Sequence, residues 1–152
     1  MTKAIAFLFA AGFIILLTSC LDAECIQETK AYMKVSFYSY ETKTAASPDN
    51  LTLYGTNNVV KLYDNQEKIT LPALIPLKDS GNESEFIIEI NGTEDTIQFV
   101  HSSFFHFISK ECGYSMWHTI DTVYFTTNEI DSISLINKEI SLKNAVNVAI
   151  YY

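Results

Sequence analysis

The chain has 152 residues, with ten lysines, no arginine, eighteen acids and a formal charge of −8. Arginine carries the planar fork that reads phosphates and guanine edges. Its absence from an acidic chain excludes nucleic acid as a partner and excludes electrostatic docking on anionic lipid.

The first element is a leader. Met1-Thr2-Lys3 precedes an uninterrupted apolar run from Ala4 to Leu17, shorter than the ~20 residues that a membrane-spanning helix needs. The run closes on Leu17-Thr18-Ser19-Cys20, the pattern of a bacterial lipobox. Residues 1–19 are therefore predicted to be a signal peptide and Cys20 the lipid-modified first residue of the mature protein. An ordinary cleaved signal peptide and an uncleaved anchor helix are the alternatives. The run is too short for the second, and Cys20 stands where lipidation requires it. Attachment would come from the acyl chains, since two or three hold firmly where one is marginal.

Residues 20–30 are mostly polar and acidic (Asp22, Glu24, Gln27, Glu28). They read as a tether that reaches at most ~35 Å when extended. Residues 31–152 are too few for two ordinary domains and enough for one. Two cysteines remain after processing, Cys25 and Cys112. An exported protein meets an oxidising compartment, so they are expected to form a disulfide that ties the leader to a polar Lys110-Glu111-Cys112-Gly113 turn and protects the first edge of the domain.

From Ala31 the apolar residues alternate with period two, the mark of half-buried strands. Ala31, Met33, Val35 and Phe37 fall on one face, and Tyr32, Lys34, Ser36 and Tyr38 on the other. A loop follows over 41–50, and Leu51 and Leu53 begin a short strand that Gly55 ends. Val60 with Leu62, and Ile69 with Leu71, mark two more. Pro72 and Pro76 lack a backbone donor, so the stretch between them belongs at a sheet edge or a bulged connection. Asp79-Ser80-Gly81-Asn82 reads as a turn. Phe86, Ile88 and Ile90 then alternate up to Asn91-Gly92, with Ile97 and Phe99 beyond it. A two-residue Asn-Gly turn would set Asp95 opposite Ile88 on the apolar face. A four-residue loop would pair Ile88 with Ile97 and Phe86 with Phe99. The second register is expected, because an unpaired buried carboxylate costs several kcal/mol.

Phe104 to Ile108, Thr119 to Phe125, Ile133 to Leu135 and Val148 to Tyr152 complete a set of eight to ten short strands, with Tyr152 expected to be ordered. No stretch after Leu17 has a helical period. The predicted fold is all-β, a single sandwich of immunoglobulin-like or related form, with a barrel as the second choice.

Several segments together resemble a family of small Bacteroidota lipoproteins that is catalogued only as a domain of unknown function. They are Cys25, Leu51-Thr52-Leu53-Tyr54-Gly55, Ile108-Ser109-Lys110-Glu111-Cys112-Gly113, Asn128-Glu129-Ile130-Asp131-Ser132-Ile133 with Ile136-Asn137, and Val148-Ala149-Ile150-Tyr151. The resemblance spans nearly the whole mature chain. It implies an outer-membrane setting and the Cys25–Cys112 bridge, and it brings no activity. In that setting Leu21 stands where Asp would retain a lipoprotein at the inner membrane, so that signal is missing, and an outer-membrane location facing periplasm or cell surface is expected. Asp95-Thr96-Ile97, Asp121-Thr122-Val123 and Asp131-Ser132-Ile133 match the O-glycosylation acceptor of such bacteria, at Thr96, Thr122 and Ser132. Alternating β sequence also produces such tripeptides by chance.

Candidate chemistry is sparse. His101 and His106 are five apart, so on one strand they face opposite ways and cannot share a metal. A zinc site of Cys112, His106 and His118 lacks the close paired spacing of structural zinc and fails if Cys112 is oxidised. The histidines are read as surface or partly buried, and no metal or cofactor is predicted. No Gly-x-Ser-x-Gly elbow occurs. The acids Asp64, Glu67, Asp79 and Asp95 are read as solvated turn residues. Tyr32, Tyr38 and Tyr40 lie opposite the core face and are candidates for rings presented to sugars or proteins, though aromatics also simply favour strands. The expected function is a non-catalytic, lipid-tethered β-domain that binds an envelope protein or supports envelope assembly. A glycan-binding module and a small hydrolase are the alternatives.

Overall fold

A computed structural model describes residues 24–58 and 60–152. The expected signal peptide, Cys20 and the start of the expected tether lie outside them. The described residues form ten strands: β1 (Met33–Tyr38), β2 (Asn50–Gly55), β3 (Lys61–Glu67), β4 (Ala73–Ile75), β5 (Glu83–Ile90), β6 (Thr93–Ser109), β7 (Gly113–Phe125), β8 (Ser132–Leu135), β9 (Glu139–Ile140) and β10 (Val148–Tyr151). No helix occurs among the described residues. One sheet has the order β4-β1-β10-β8, and the other, a curled half-barrel, the order β3-β2-β5-β6-β7-β9.

One hydrophobic core joins the two sheets. Met33, Val35 and Phe37 of β1, with Val148 and Ile150 of β10, meet Leu51, Leu53, Ile88, Ile90, Ile97, Phe99 and Ile120 of the larger sheet. The period-two reading of β1 holds: odd residues are buried and even ones are half-buried. Burying a side chain of this size contributes about 1.5–3 kcal/mol. The Pro72–Pro76 stretch is β4, an edge strand as its prolines require. β1 is not an edge. It lies between β4 and a parallel β10, with Val35 opposite Val148 and Tyr38 opposite Tyr151. Tyr152 is ordered, its amide donating to Tyr38 O at 3.1 Å and its carbonyl accepting from Tyr40 N at 2.9 Å. Ile69 and Leu71 form no strand; Ile69 is buried from an irregular segment.

The β5–β6 hairpin takes the register that the sequence argued against. Asn91 and Gly92 have φ of 51° and 89°, the pair of positive values that a tight two-residue turn demands. Ile90 pairs with Thr93, Phe86 with Ile97, and Ile88 with Asp95. Asp95 is thus buried, and it is not a solvated turn acid. The cost feared for it does not arise, because the carboxylate is fully partnered. Its Oδ1 accepts from Thr126 Oγ1 at 2.6 Å and Asn128 N at 2.8 Å, and its Oδ2 from Glu129 N at 2.8 Å and Ile130 N at 2.9 Å. Burial pushes the Asp95 pKa up, but these four donors outweigh it and hold it below the ordinary carboxylate value. One side chain fastens the loop after β7 to the start of β6.

Candidate functional site

Beyond Val100 the strand β6 changes its surroundings. Glu83, the first residue of β5, pairs with Val100, and β9 reaches only His118 and Thr119 of β7. From Phe104 to Ser109 and from Gly113 to Trp117 the hairpin is therefore a two-stranded ribbon about 20 Å long. A ribbon of this kind is marginally stable by itself. Here it ends at the Cys25–Cys112 disulfide, which joins the leader to the turn. The bridge closes a loop of 87 residues, which chain entropy values at roughly 4–5 kcal/mol.

The ribbon is aromatic on both faces. One face carries Phe105 and Phe107 with Tyr114, exposed by 75%, 55% and 65%, and their rings meet edge to face at 79° and 66°. The other carries Phe104, His106 and Trp117, with the His106 imidazole stacked on the Trp117 indole at 3.6 Å. Ile26, beside the disulfide, is 93% exposed. A groove of about 560 Å³ runs alongside, lined by Tyr32, Leu62, Leu74 and Tyr114 among others. None of the three histidines lines it.

A second aromatic surface lies at the far end of β1. Tyr38 stacks on Tyr151 with ring centroids 5.3 Å apart. Lys43, held in a turn at φ 58°, places its ammonium 3.5 Å from the Tyr40 ring centroid and 5.0 Å from that of Tyr151, a cation–π arrangement. Of the three tyrosines singled out in the sequence, Tyr38 and Tyr40 join this cluster, while Tyr32 lies at the other end of β1, in the groove.

The histidines divide otherwise than expected. His101 and His118 are buried, at the junction of body and ribbon, with rings perpendicular and 5.3 Å apart. Ser84 Oγ lies 2.9 Å from His101 Nε2, and Ser103 Oγ lies 2.8 Å from His118 Nδ1 and 3.3 Å from His101 Nδ1. Burial lowers both pKa values. Asp121 opposes this for His101 and Lys78 adds to it, while for His118 the neighbouring His101 adds and Asp79 opposes. These serine–histidine pairs have the composition of a nucleophile and its base. Neither imidazole bonds a carboxylate that would orient it, and all but the half-buried Ser103 are shut away from solvent. Such an arrangement satisfies buried polar groups. The signal was available in the sequence, since His101 continues the alternation of Ile97 and Phe99. Of the conceivable zinc ligands, Cys112 is oxidised and His106 lies on the opposite face of the ribbon from His118.

The acceptor candidates Thr96 on β6, Thr122 on β7 and Ser132 on β8 are all half-buried, in three different strands. The model of a family of unknown function, DUF6452, matches residues 50–152. The match begins at β2 and includes Cys112, leaving β1 and Cys25 outside it. No curated protein and no solved structure matches the chain.

Proposed function

The chain belongs to DUF6452, a family that brings no activity with it, and we propose that it is an exported, lipid-anchored envelope protein whose non-catalytic, sandwich-like β-domain binds a partner protein. The observation that carries this reading is the Cys25–Cys112 bridge. Structural disulfides belong to oxidising compartments, and this one fastens the domain to the leader five residues from the lipobox Cys20. The anchored end of the domain is then the ribbon end. β1, about 20 Å long, carries the chain away from it to the Tyr38–Tyr40–Lys43–Tyr151 cluster, which faces outward as the recognition surface. Tyrosine is among the residue types that anchor protein interfaces.

The geometry favours a protein over a sugar. Tyr38 and Tyr151 are stacked on each other, and do not form the coplanar row that a flat pyranose face would meet. The reading places the protein at the outer membrane in a Bacteroidota-type envelope, on the strength of Leu21 after Cys20 and the tripeptide motifs. Two measurements test it. Cys20→Ala should release the protein from the membrane fraction or block its maturation. A photo-crosslinking residue at position 40 in living cells should give a discrete adduct that Lys43→Glu abolishes. A wild-type chain that forms no adduct would sink the partner reading, and a processed Cys20→Ala chain still on membranes would sink the anchor.

A further inference from the structure

The ribbon leaves exposed the residue types that soluble surfaces bury. Phe105, Phe107 and Tyr114 on one face, Phe104 on the other, and Ile26 beside the bridge crowd one end of the molecule. Alternation continues along β6 into this region, so the same face that buries Ile97 and Phe99 in the core presents Phe105 and Phe107 to the outside. The described residues whose polar side-chain atoms are buried without a hydrogen-bond partner, Ser115 and Trp117, are both on this ribbon. Among the described residues no third strand pairs with it.

We propose that the tip of the β6–β7 hairpin is a membrane-interface anchor, seated in the headgroup and acyl boundary of the leaflet that holds the lipidated Cys20. The proposal rests on the lipid-anchor reading and goes beyond it, because it fixes what covers the aromatic tip and how the domain stands. The occupant follows from the chain length between anchor and tip. Cys25 is bonded to the hairpin turn, and five residue steps separate it from Cys20. Those steps span at most about 18 Å fully extended, so the tip cannot leave the neighbourhood of the bilayer while Cys20 is acylated.

The chemistry of the tip agrees with that placement. Tyr and Trp settle at the membrane–water boundary, apolar body inward and polar edge outward, and the Phe rings beside them add apolar area. At the turn Lys110 and Glu111 cancel, and the bridged leader adds the acids Asp22 and Glu24. The chain as a whole is acidic, so insertion would be driven by apolar area and would suit a neutral, zwitterionic surface. The seat also gives the disulfide a second task. It clamps the leader to the tip, so that the acyl chains and the aromatic residues enter the bilayer side by side. Two clamped points of attachment in place of a flexible tether would orient the domain, with the Tyr40 end of β1 pointing away from the membrane.

The chain's one tryptophan, Trp117, is half-buried where the ribbon leaves the body, so the reporter is set at the exposed tip as Tyr114→Trp in a Trp117→Phe background. The processed variant is reconstituted into zwitterionic phosphatidylcholine vesicles with or without bromine on the acyl chains, and its emission is read. Brominated lipid should quench it by roughly half or more, and Phe105→Ser with Phe107→Ser should cut that quenching at least about twofold while the circular dichroism spectrum stays unchanged. Mass spectrometry of the same sample keeps the two readings apart. An acylated Cys20 with the reporter unquenched by lipid would overturn the tip anchor alone, whether the reporter is open to aqueous iodide or covered by a second copy, which cross-linking through position 105 would show. An unacylated Cys20 would overturn the anchor reading and, with it, the tether length on which the tip anchor rests.

Discussion

Two halves of one strand behave differently. In the first half of β6, Asp95, Ile97, Phe99 and His101 are buried, and every polar group among them is bonded. In the second half, Phe105 and Phe107 continue the same alternation and stand exposed. The difference is one of neighbours. Until Val100 the strand has β5 on one side and β7 on the other, with the small sheet packed across its face. After that only β7 accompanies it. Period-two alternation tells which residues share a face, and it does not tell whether anything covers that face.

The contrast makes the two halves experimentally separable. Phe99→Ala removes a fully buried ring that meets Phe86 at 6.4 Å and should cost about 3–5 kcal/mol in urea unfolding. A loss under ~1 kcal/mol would mean that the face of β6 is not covered where the fold puts it.

Next in size is Asp95→Asn, which keeps the shape but sets an amide where three backbone donors and a hydroxyl need acceptors. It should cost about 2–3 kcal/mol at neutral pH. Because the folded-state pKa of Asp95 lies below its ordinary value, its contribution is present above the unfolded pKa and is lost as pH falls through the folded one. The acid limb of the stability curve should therefore flatten in the variant. An unchanged acid limb would mean that the carboxylate is not bound as the structure has it.

Phe105→Ser is the smallest. With its ring 75% exposed, it should change the unfolding free energy of residues 24–152 by no more than ~0.5 kcal/mol. A core-sized loss would show that the ribbon packs onto the body, and the distinction between the two halves would collapse.

Much of the fold was legible before any coordinates. Met33, Val35 and Phe37, the loop over 41–50, the β2 strand ended by Gly55 and the prolines flanking β4 follow from local rules, because alternation and missing donors act within a few residues. The Cys25–Cys112 pairing was legible too, since the two cysteines left beyond the expected leader allow one choice. The register of the β5–β6 hairpin was not. The turn chemistry of Asn91-Gly92 pointed to the correct register, and only a loop more than thirty residues along, Thr126 to Ile130, makes Asp95 tolerable inside. The parallel pairing of β1 with β10 was equally hidden, because no turn joins the first strand to the last.

What the sequence determined by itself is the set of faces: which residues alternate, where chains must turn, and which cysteines can pair. These depend on bonds and neighbours along the chain. Which faces are covered was decided only by the tertiary structure, because burial depends on segments remote in sequence. Asp95 became an inside residue because a distant loop supplied its donors, and Phe105 became an outside one because no second sheet came to lie across its face.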